Sequence, residues 1–109
     1  MITEVASIKV KAGEEARFEA AAGKAADVFR RAEGCLGLAL QRSVEEPNLY
    51  QALIRWRTVE DHTVTFRNGP LFQEWRALVG PSFAEPPAVL HFAPVFDPIA
   101  FPPAPEENT

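Results

Sequence analysis

Alternating apolar and polar positions at the start of the chain predict a strand that is followed by a long helix. Residues 2–10 alternate and contain many β-branched side chains, as strands do. An apolar stripe then runs from Phe18 to Ala32 at spacings of three and four, which is typical of an amphipathic helix. We expect this helix to open at Gly13 and to end at Gly34, where a left-handed cap is favoured.

The rest of the chain predicts a hairpin, a second helical region and a last strand. Strands are expected at Leu36–Glu45 and Leu49–Arg57, and the short polar turn between them requires an antiparallel pairing. A helix is predicted over 58–68, opened by a capping box, and a second piece over 70–79, opened by a proline. The last strand is predicted at Ala88–Phe96.

The predicted order of elements is β-α-β-β-α-β, which indicates an α+β, ferredoxin-like fold. In that fold a four-stranded antiparallel sheet carries two helices on one face. We expect one domain over residues 1–96. A C-terminal tail, residues 97–109, follows it, and its prolines exclude regular structure.

Both faces of the predicted sheet carry apolar side chains. In the last strand Val89 and Val95 face one way, whereas Leu90, Phe92 and Phe96 face the other. Two helices cover only one face of a sheet, and soluble monomers seldom expose a large apolar patch. We therefore expect a homodimer in which the open sheet faces pack together. The alternative is that long side chains and the proline-rich tail cover that face within one chain.

Composition narrows the range of partners. The chain has 109 residues with 11 basic against 15 acidic side chains, so its net charge of −4 favours neither nucleic acid nor anionic lipid. No apolar run is long enough to cross a membrane, and no signal-peptide pattern opens the chain. The single Cys35 cannot form an internal disulfide, so we expect a buried, inert thiol and a cytoplasmic location.

Two histidines are the first candidates for chemistry. Motifs for binding phosphate, a dinucleotide or zinc are absent. His62 and His91 are far apart and have no obvious carboxylate partner at ligand spacing, so no metal site is predicted. His62 lies on an inward-facing stripe with Phe66. It is either a satisfied, partly buried histidine or a hydrogen-bonding group or base in a pocket between helix and sheet.

Further polar and aromatic side chains are candidates for the same pocket. Arg67 either faces a substrate or simply suits the C-terminal end of its helix. Trp75 is either a core residue or a stacking surface, and Tyr50 and Trp56 fall on one side of the third strand, where both could line the cavity. Strand parity leaves open whether His91 faces the pocket or the dimer face. A pocket of this kind suits a flat, weakly polar ligand such as a polycyclic phenol or quinone.

Several segments of the chain resemble the antibiotic biosynthesis monooxygenase domain. They are Gly34-Cys35-Leu36-Gly37, the stretch 42–48, Trp56, His62-Thr63, Phe66-Arg67 and the stretch 72–76. The likeness extends over residues 2–96, and the proline-bounded segment 80–87 resembles a loop of one subgroup of that family.

This resemblance implies a dimeric α+β barrel, in which each subunit keeps a cavity between its sheet and its helices. It also implies that phenolic or quinol-like aromatics are oxygenated by molecular oxygen without a cofactor, whether flavin, haem or metal. Matched by position, His62 is the expected catalytic residue. The expected substrate-binding residues, from this match and from the residue pattern, are Arg67, Trp75, His91, Phe66, Tyr50 and Trp56.

Three functions are compatible with this resemblance. The first is a cofactor-independent monooxygenase that acts on a small aromatic molecule. The second is a non-catalytic dimer that binds a small molecule in the same cavity, and the third is an isomerase or lyase of the same fold. A branch of the family that degrades haem needs an axial histidine near Trp75, and because Trp75-Arg76 stands there, haem is not expected.

Overall fold

The computed structural model describes residues 1–105, in which two helices pack on one face of a four-stranded antiparallel sheet. The strands are β1 (Ile2–Lys9), β2 (Cys35–Arg42), β3 (Leu49–Trp56) and β4 (Ala88–Phe92), and the helices are α1 (Glu15–Arg30) and α2 (Pro70–Val79). The order of strands across the sheet is β2-β3-β1-β4. This arrangement confirms the predicted α+β, ferredoxin-like fold. Within the described part of the chain, no helix has the length and apolar character needed to span a membrane.

Strand parity decides which side chains enter the core. On β1, the side chains of Glu4, Ala6 and Ile8 are buried under the helices, whereas their odd-numbered neighbours face the other way. Because directly paired residues share a face, Glu4 has Ile54 of β3 on one side and His91 of β4 on the other. The predicted faces of β1, β3 and β4 are therefore confirmed within the observed strands, whereas Val95 and Phe96 lie beyond the end of β4.

An aromatic cluster forms the part of the core that lies next to α2. The ring of Phe29 on α1 lies 5.3 Å from that of Phe66 and 6.3 Å from those of Trp56 and Trp75. Burying one such side chain stabilises a fold by about 1.5–3 kcal/mol. The cluster therefore holds both helical segments against the sheet.

The predicted cap of the first helix is wrong, although Arg30 lies in the last turn as predicted. The helix stops at Arg30 rather than at Gly34. Gly34 does adopt the left-handed conformation, with φ +78°, but it does so in the turn that leads into β2. A side chain at Gly34 would collide with the carboxylate of Asp61, so the close approach of that carboxylate also requires glycine here.

The last strand is shorter than predicted, because it ends at Phe92 rather than at Phe96. Its partner strand β1 starts at Ile2, and Thr3 is already paired with Phe92. Pro94 has no N–H to donate to a ladder. The other strand ends lie within three residues of their predicted positions.

The region predicted as a helix over 58–68 contains a π-helical turn, Asp61–Phe66. The N–H of Arg67 donates to the carbonyl of His62, five residues earlier, at 3.0 Å. The predicted cap is present, since the hydroxyl of Thr58 accepts a hydrogen bond from the N–H of Asp61 at 3.1 Å. π-Turns are rare and often occur at functional sites.

The open face of the sheet and the segment after β4 expose apolar side chains. Leu90 and Phe92 on β4 are 66% and 52% exposed. Residues 93–105 contain no helix or strand and are exposed, whereas the last four residues of the predicted tail, 106–109, lie outside the described residues. The apolar surface of this face is concentrated at the β4 edge, since Gln51 and Arg55 of β3 also point to that side.

Replacing Gly34 or Gly23 by alanine should change the free energy of unfolding in opposite directions. Gly34→Ala should lower the free energy of unfolding by more than about 1 kcal/mol, because the left-handed backbone and Asp61 both oppose a Cβ. Gly23 lies within α1, and no atom of residues 1–105 outside the adjoining helix backbone lies within 4 Å of the position that a Cβ would take there, so Gly23→Ala should raise the free energy of unfolding by roughly 0.5–1 kcal/mol. Urea unfolding monitored by tryptophan fluorescence checks both, and equal effects would contradict the prediction.

Candidate functional site

A cavity of about 540 Å³ lies between the sheet and α2. Its walls are mainly apolar and aromatic, with a few charged groups. The charged and aromatic side chains of the wall include Glu4, His62, Phe66, Arg67, Phe72, Trp75, Arg76 and Glu85. A cavity of this size, with apolar walls and few polar groups, is typical of a small-molecule site.

A chain of three side chains runs from this cavity toward β4. The Oε1 atom of Glu4 lies 3.3 Å from Nε2 of His62. The Nδ1 atom of His62 lies 2.8 Å from Nε2 of His91. Glu4 and His62 are only 5% and 3% exposed, so these contacts are made in a largely dehydrated environment. Polar contacts of this kind are stronger there than in water.

The fold places these groups from three separate elements. The β1–β4 register sets Glu4 directly opposite His91. The π-helical turn carries His62 over the sheet, where its ring stacks on that of Trp56 with 5.3 Å between centroids. Trp56 also donates its Nε1–H to Oε1 of Glu4 at 2.9 Å. The buried carboxylate therefore contacts both an indole and an imidazole nitrogen.

Burial shifts the pKa values of both central groups toward the neutral form. Desolvation lowers the pKa of His62 to about 4, and the charges of His91 and Arg67 act in the same direction. Desolvation raises the pKa of Glu4, although the hydrogen bond from Trp56 and the charge of Arg67 oppose this. His62 is thus a neutral imidazole at pH 7, and Glu4 is a stronger base than an exposed carboxylate.

Two arginines and a phenyl ring form another part of the wall. The guanidinium groups of Arg67 and Arg76 lie 5.4 and 5.9 Å from the ring centroid of Phe72. In residues 1–105 neither guanidinium forms an ion pair with a carboxylate, whereas those of Arg31 and Arg57 do. The cavity therefore contains two cationic groups without a close counter-ion in the described chain.

The structure brings most of the predicted site residues together. His62, Phe66, Arg67 and Trp75 all line the cavity, so the predicted pocket between helix and sheet exists. Their part in substrate binding or catalysis stays a prediction. The sequence shows no obvious carboxylate partner for either histidine, whereas the fold places both Glu4 and His91 next to His62.

Three predicted residues lie elsewhere. Trp56 is fully buried behind His62 and is not part of the cavity wall, and His91 contacts His62 rather than the cavity. Tyr50 was expected to share a cavity with Trp56, but it lies at the other end of β3, where its hydroxyl donates to Oε2 of Glu19 at 2.6 Å. Six residues of strand separate the two, which is roughly 20 Å.

Tyr50 instead lines a second cavity, of about 490 Å³, between α1 and the strands β2 and β3. This cavity exists because α1 does not fully cover β2, so that Leu38 and Leu40 remain about two-fifths exposed although they lie on the helix-facing side. Trp75 lines both cavities and lies between them.

Glu4 is the main site residue that the sequence analysis missed. The signal was present, since Glu4 lies between Ile2 and Ala6 at an inward-facing position of the first strand. A charged residue at such a position is rare and needs a partner. Cys35 is half-buried, and burial raises the pKa of its thiol, so nothing indicates a reactive cysteine. Among the residues described, no group of three or more histidine, cysteine or acidic side chains could hold a metal ion.

Comparisons with known proteins identify the class to which this fold and cavity belong. Residues 1–78 match the family model of the antibiotic biosynthesis monooxygenases. The chain therefore belongs to that family. Its sequence is 37% identical over 95 residues to YczJ of Bacillus subtilis (strain 168), an uncharacterized protein, and this match covers 87% of the chain and 100% of YczJ.

Solved structures agree with this assignment. A Bordetella bronchiseptica protein named after the same family superposes with a TM-score of 0.86 and 52% identity, covering 87% of this chain and 97% of the other. A mutant of SnoaB of Streptomyces nogalater, which is described as a cofactor-independent oxygenase, has a TM-score of 0.74 and 21% identity. That match covers 88% of this chain and 94% of SnoaB, and it shows a shared fold.

The lowered pKa of His62 predicts a loss of stability in acid. An exposed histidine titrates near 6.5, so between that pH and about 4 the unfolded chain binds a proton that the folded protein does not. The contribution of His62 to the free energy of unfolding should be complete above pH 6.5 and fall by roughly 3 kcal/mol toward pH 4. The raised pKa of Glu4 changes the free energy of unfolding in the opposite direction. Glu4 is therefore kept in both of the proteins compared below, so that the difference between them reports on His62.

That comparison is between the wild type and His62→Gln, unfolded in urea at several pH values and one protein concentration. The difference between their free energies of unfolding should shrink as the pH falls from 7 to 4. A difference that does not change with pH would show that His62 titrates like an exposed histidine.

Proposed function

We propose that this protein is a cofactor-independent monooxygenase that acts on a small aromatic substrate of the phenol or quinol type, with molecular oxygen as the oxidant. The observation that carries this proposal is the close contact of Glu4 and His62, 3.3 Å apart, at the wall of a cavity that is otherwise largely apolar and aromatic. Membership of the monooxygenase family supports it, as does the shared fold of SnoaB, which is described as a cofactor-independent oxygenase.

The chemistry requires a base in a dehydrated site. A phenol or quinol transfers an electron to oxygen much more readily once it has lost a proton, and general bases contribute about 10²–10⁴-fold to such steps. The Glu4–His62 pair is the proton acceptor of this proposal. The guanidinium of Arg67, which has no close counter-ion in the described chain, stabilises the resulting anion.

The reaction balances without an external reductant. When a CH₂ group of the substrate becomes a carbonyl, one O₂ is consumed and one H₂O is released. One oxygen atom forms the new C=O bond, and the O–O bond breaks so that the other oxygen leaves as water. The substrate supplies all four electrons, and its two hydrogens end in the water.

The walls of the cavity suit a flat ligand. Phe66 and Phe72 lie edge to face with 5.9 Å between their centroids, and Phe72 stacks with Trp75 at 5.8 Å. Such rings bind an aromatic substrate by offset or edge contacts, each worth about 0.5–1.5 kcal/mol beyond the area buried. They also exclude water from the bound anion.

We also propose that the functional unit is a homodimer formed through the open sheet face. Leu90 and Phe92 give this face an apolar edge that a second copy would cover, together with Val5 and Leu53 at its centre. The polar side chains on the same face, Gln51 and Arg55, would be satisfied across the interface or at its rim.

Oxygen uptake tests the proposed activity. The wild type should consume oxygen with naphthol- or anthrone-like substrates without added metal or reductant. His62→Ala should lower kcat at least tenfold because the proton acceptor is disrupted, and Arg67→Gln should lower it by a similar factor because the anion is less stable. Arg30→Gln, on the exposed surface of α1, is the matched control and should be unchanged.

Other outcomes of the same experiment would contradict this function, and two of them would favour a specific alternative. Oxygen uptake at background for the wild type with the whole panel would contradict monooxygenase activity. Tight binding of the same compounds without turnover would favour a binding protein. Product formation in the absence of oxygen would favour an isomerase or lyase.

The proposed dimer is tested by size-exclusion chromatography with light scattering at low micromolar concentration. The wild type should have twice the mass of one chain, and Leu90→Asp should shift it to the mass of a single chain because a charge would be buried in the interface. Val64→Asp is the control, since Val64 is also about half exposed but lies on the π-helical turn. A wild type that is monomeric would contradict the dimer.

A further inference from the structure

We infer that Glu4, through its Oε2 atom, accepts the proton of the substrate, and that His62 and His91 are positioning residues that hold this carboxylate rather than bases themselves. This inference deepens the proposed function and rests on it for the nature of the substrate. It assigns separate roles within the Glu4–His62 pair, and it assigns a role to His91, which does not line the cavity.

Both ring nitrogens of His62 face another side chain. Nε2 lies 3.3 Å from Oε1 of Glu4, and Nδ1 lies 2.8 Å from Nε2 of His91. A substrate that gave its proton to His62 would have to displace one of these partners. His62 is only 3% exposed and its ring stacks on Trp56, so the ring has little room to turn toward a ligand.

Glu4, in contrast, has one oxygen free for a ligand. Oε1 receives the Nε1–H of Trp56 and lies next to Nε2 of His62, whereas Oε2 makes no hydrogen bond within the described chain. No fully buried side-chain nitrogen or oxygen in residues 1–105 lacks a hydrogen-bond partner. Oε2 is therefore not fully buried, and the open space that Glu4 lines is the cavity.

The direction of the hydrogen bonds follows from what each atom can do. An ionised carboxylate only accepts, so the 3.3 Å contact between Nε2 of a neutral His62 and Oε1 of Glu4 is favourable only when Nε2 carries the proton. Nδ1 of His62 then has a lone pair, and it accepts the Nε2–H of His91. His91 thereby fixes the tautomer of His62, and His62 in turn orients the carboxylate.

The charged and titratable groups around this chain agree with a neutral His62. The charge of Arg67, which directly follows the π-helical turn, lowers the pKa of both His62 and Glu4. His91 on β4 also lowers the pKa of His62. From β2 the half-buried Cys35 thiol lies within electrostatic range of Glu4. Burial is the largest cause of the shift for both central groups, and it makes Glu4 a stronger base than an exposed carboxylate.

The proton that the substrate loses in this step stays within the site. The O–H or acidic C–H bond of the substrate breaks, its electron pair stays on the substrate, and the proton forms a carboxylic acid at Oε2. After oxygen has added, the same proton returns to the oxygen atom that leaves as water. His62 and His91 keep their protons throughout, so no net proton has to enter or leave the protein.

Anaerobic binding of a nitrophenol dye whose pKa lies above the working pH tests the acceptor directly, because the free dye is neutral, its anion absorbs visible light and no oxygen chemistry is needed. In the wild type the bound dye should ionise without releasing a proton to the solution, as measured by calorimetry in two buffers with different ionisation enthalpies. In Glu4→Gln each dye anion should release one proton to the buffer, whereas His62→Gln, whose amide still donates to the carboxylate, should behave as the wild type. Glu46→Gln, an exposed hairpin residue, is the matched control.

Two results would overturn the assignment of Glu4. One is a Glu4→Gln variant that still keeps the proton while His62→Gln releases it, and the other is a wild type in which the dye binds without ionising or does not bind. With an oxidisable substrate, Glu4→Gln should lower kcat by about 100-fold or more and His62→Gln by less than about tenfold. If the wild type gives the expected dye result but consumes no oxygen, the proposed monooxygenase activity would be contradicted and Glu4 would still be the proton acceptor.

The role of His91 has its own measurement. Ring ¹⁵N NMR should show His62 protonated at Nε2 and unprotonated at Nδ1 in the wild type and in His91→Gln, whose amide N–H replaces the lost donor. In His91→Leu, Nδ1 of His62 should become protonated, and the dye should ionise less. A His62 tautomer that does not change in His91→Leu would overturn this role.

Discussion

A carboxylate buried beneath the helices is the constraint on which the site depends. An ionised carboxylate in an apolar interior is destabilised by several kcal/mol unless donors surround it. Glu4 satisfies this requirement with the indole N–H of Trp56 and the imidazole of His62, and Arg67 adds a favourable charge. Each donor comes from a different element, so the sheet register and the position of the helical turn are tied to this one side chain.

The π-helical turn fits the same constraint. Its wider hydrogen-bonding pattern, from Arg67 N–H to His62 carbonyl, buries Asp61, His62 and Phe66 together. Asp61 pairs with Arg57 at 3.1 Å and lies against Gly34, so one side of the turn is fixed at the β2 end of the sheet. His62 is thereby held above β1 and β4 by contacts on both sides, which is the kind of preorganisation that a proton acceptor in a dry cavity needs.

Local patterns in the sequence were enough to predict the elements and the faces of the strands. Period-two alternation on β1 and β3 and the helical stripe from Phe18 onward reflect burial, and burial is what the fold satisfies. The contact between His62 and His91 could not be predicted in this way, because it depends on the β1–β4 pairing, a long-range register that no local pattern specifies. The misplacement of Tyr50 has a related cause, since parity gives the face of a strand but not the distance along it.

The two cavities are separated by shared side chains, and this limits how independent they can be. Phe29 and Trp75 line both, and their rings lie 6.3 Å apart in an edge-to-face contact. Phe29 also contacts the rings of Phe66 and Trp56, which pack next to His62. The second cavity opens beside Leu38 and Leu40, so these two leucines and the Glu4 cavity lie on opposite sides of Trp75. The packing of Phe29 and Trp75 against each other is therefore what separates the uncovered edge of β2 from the Glu4 cavity.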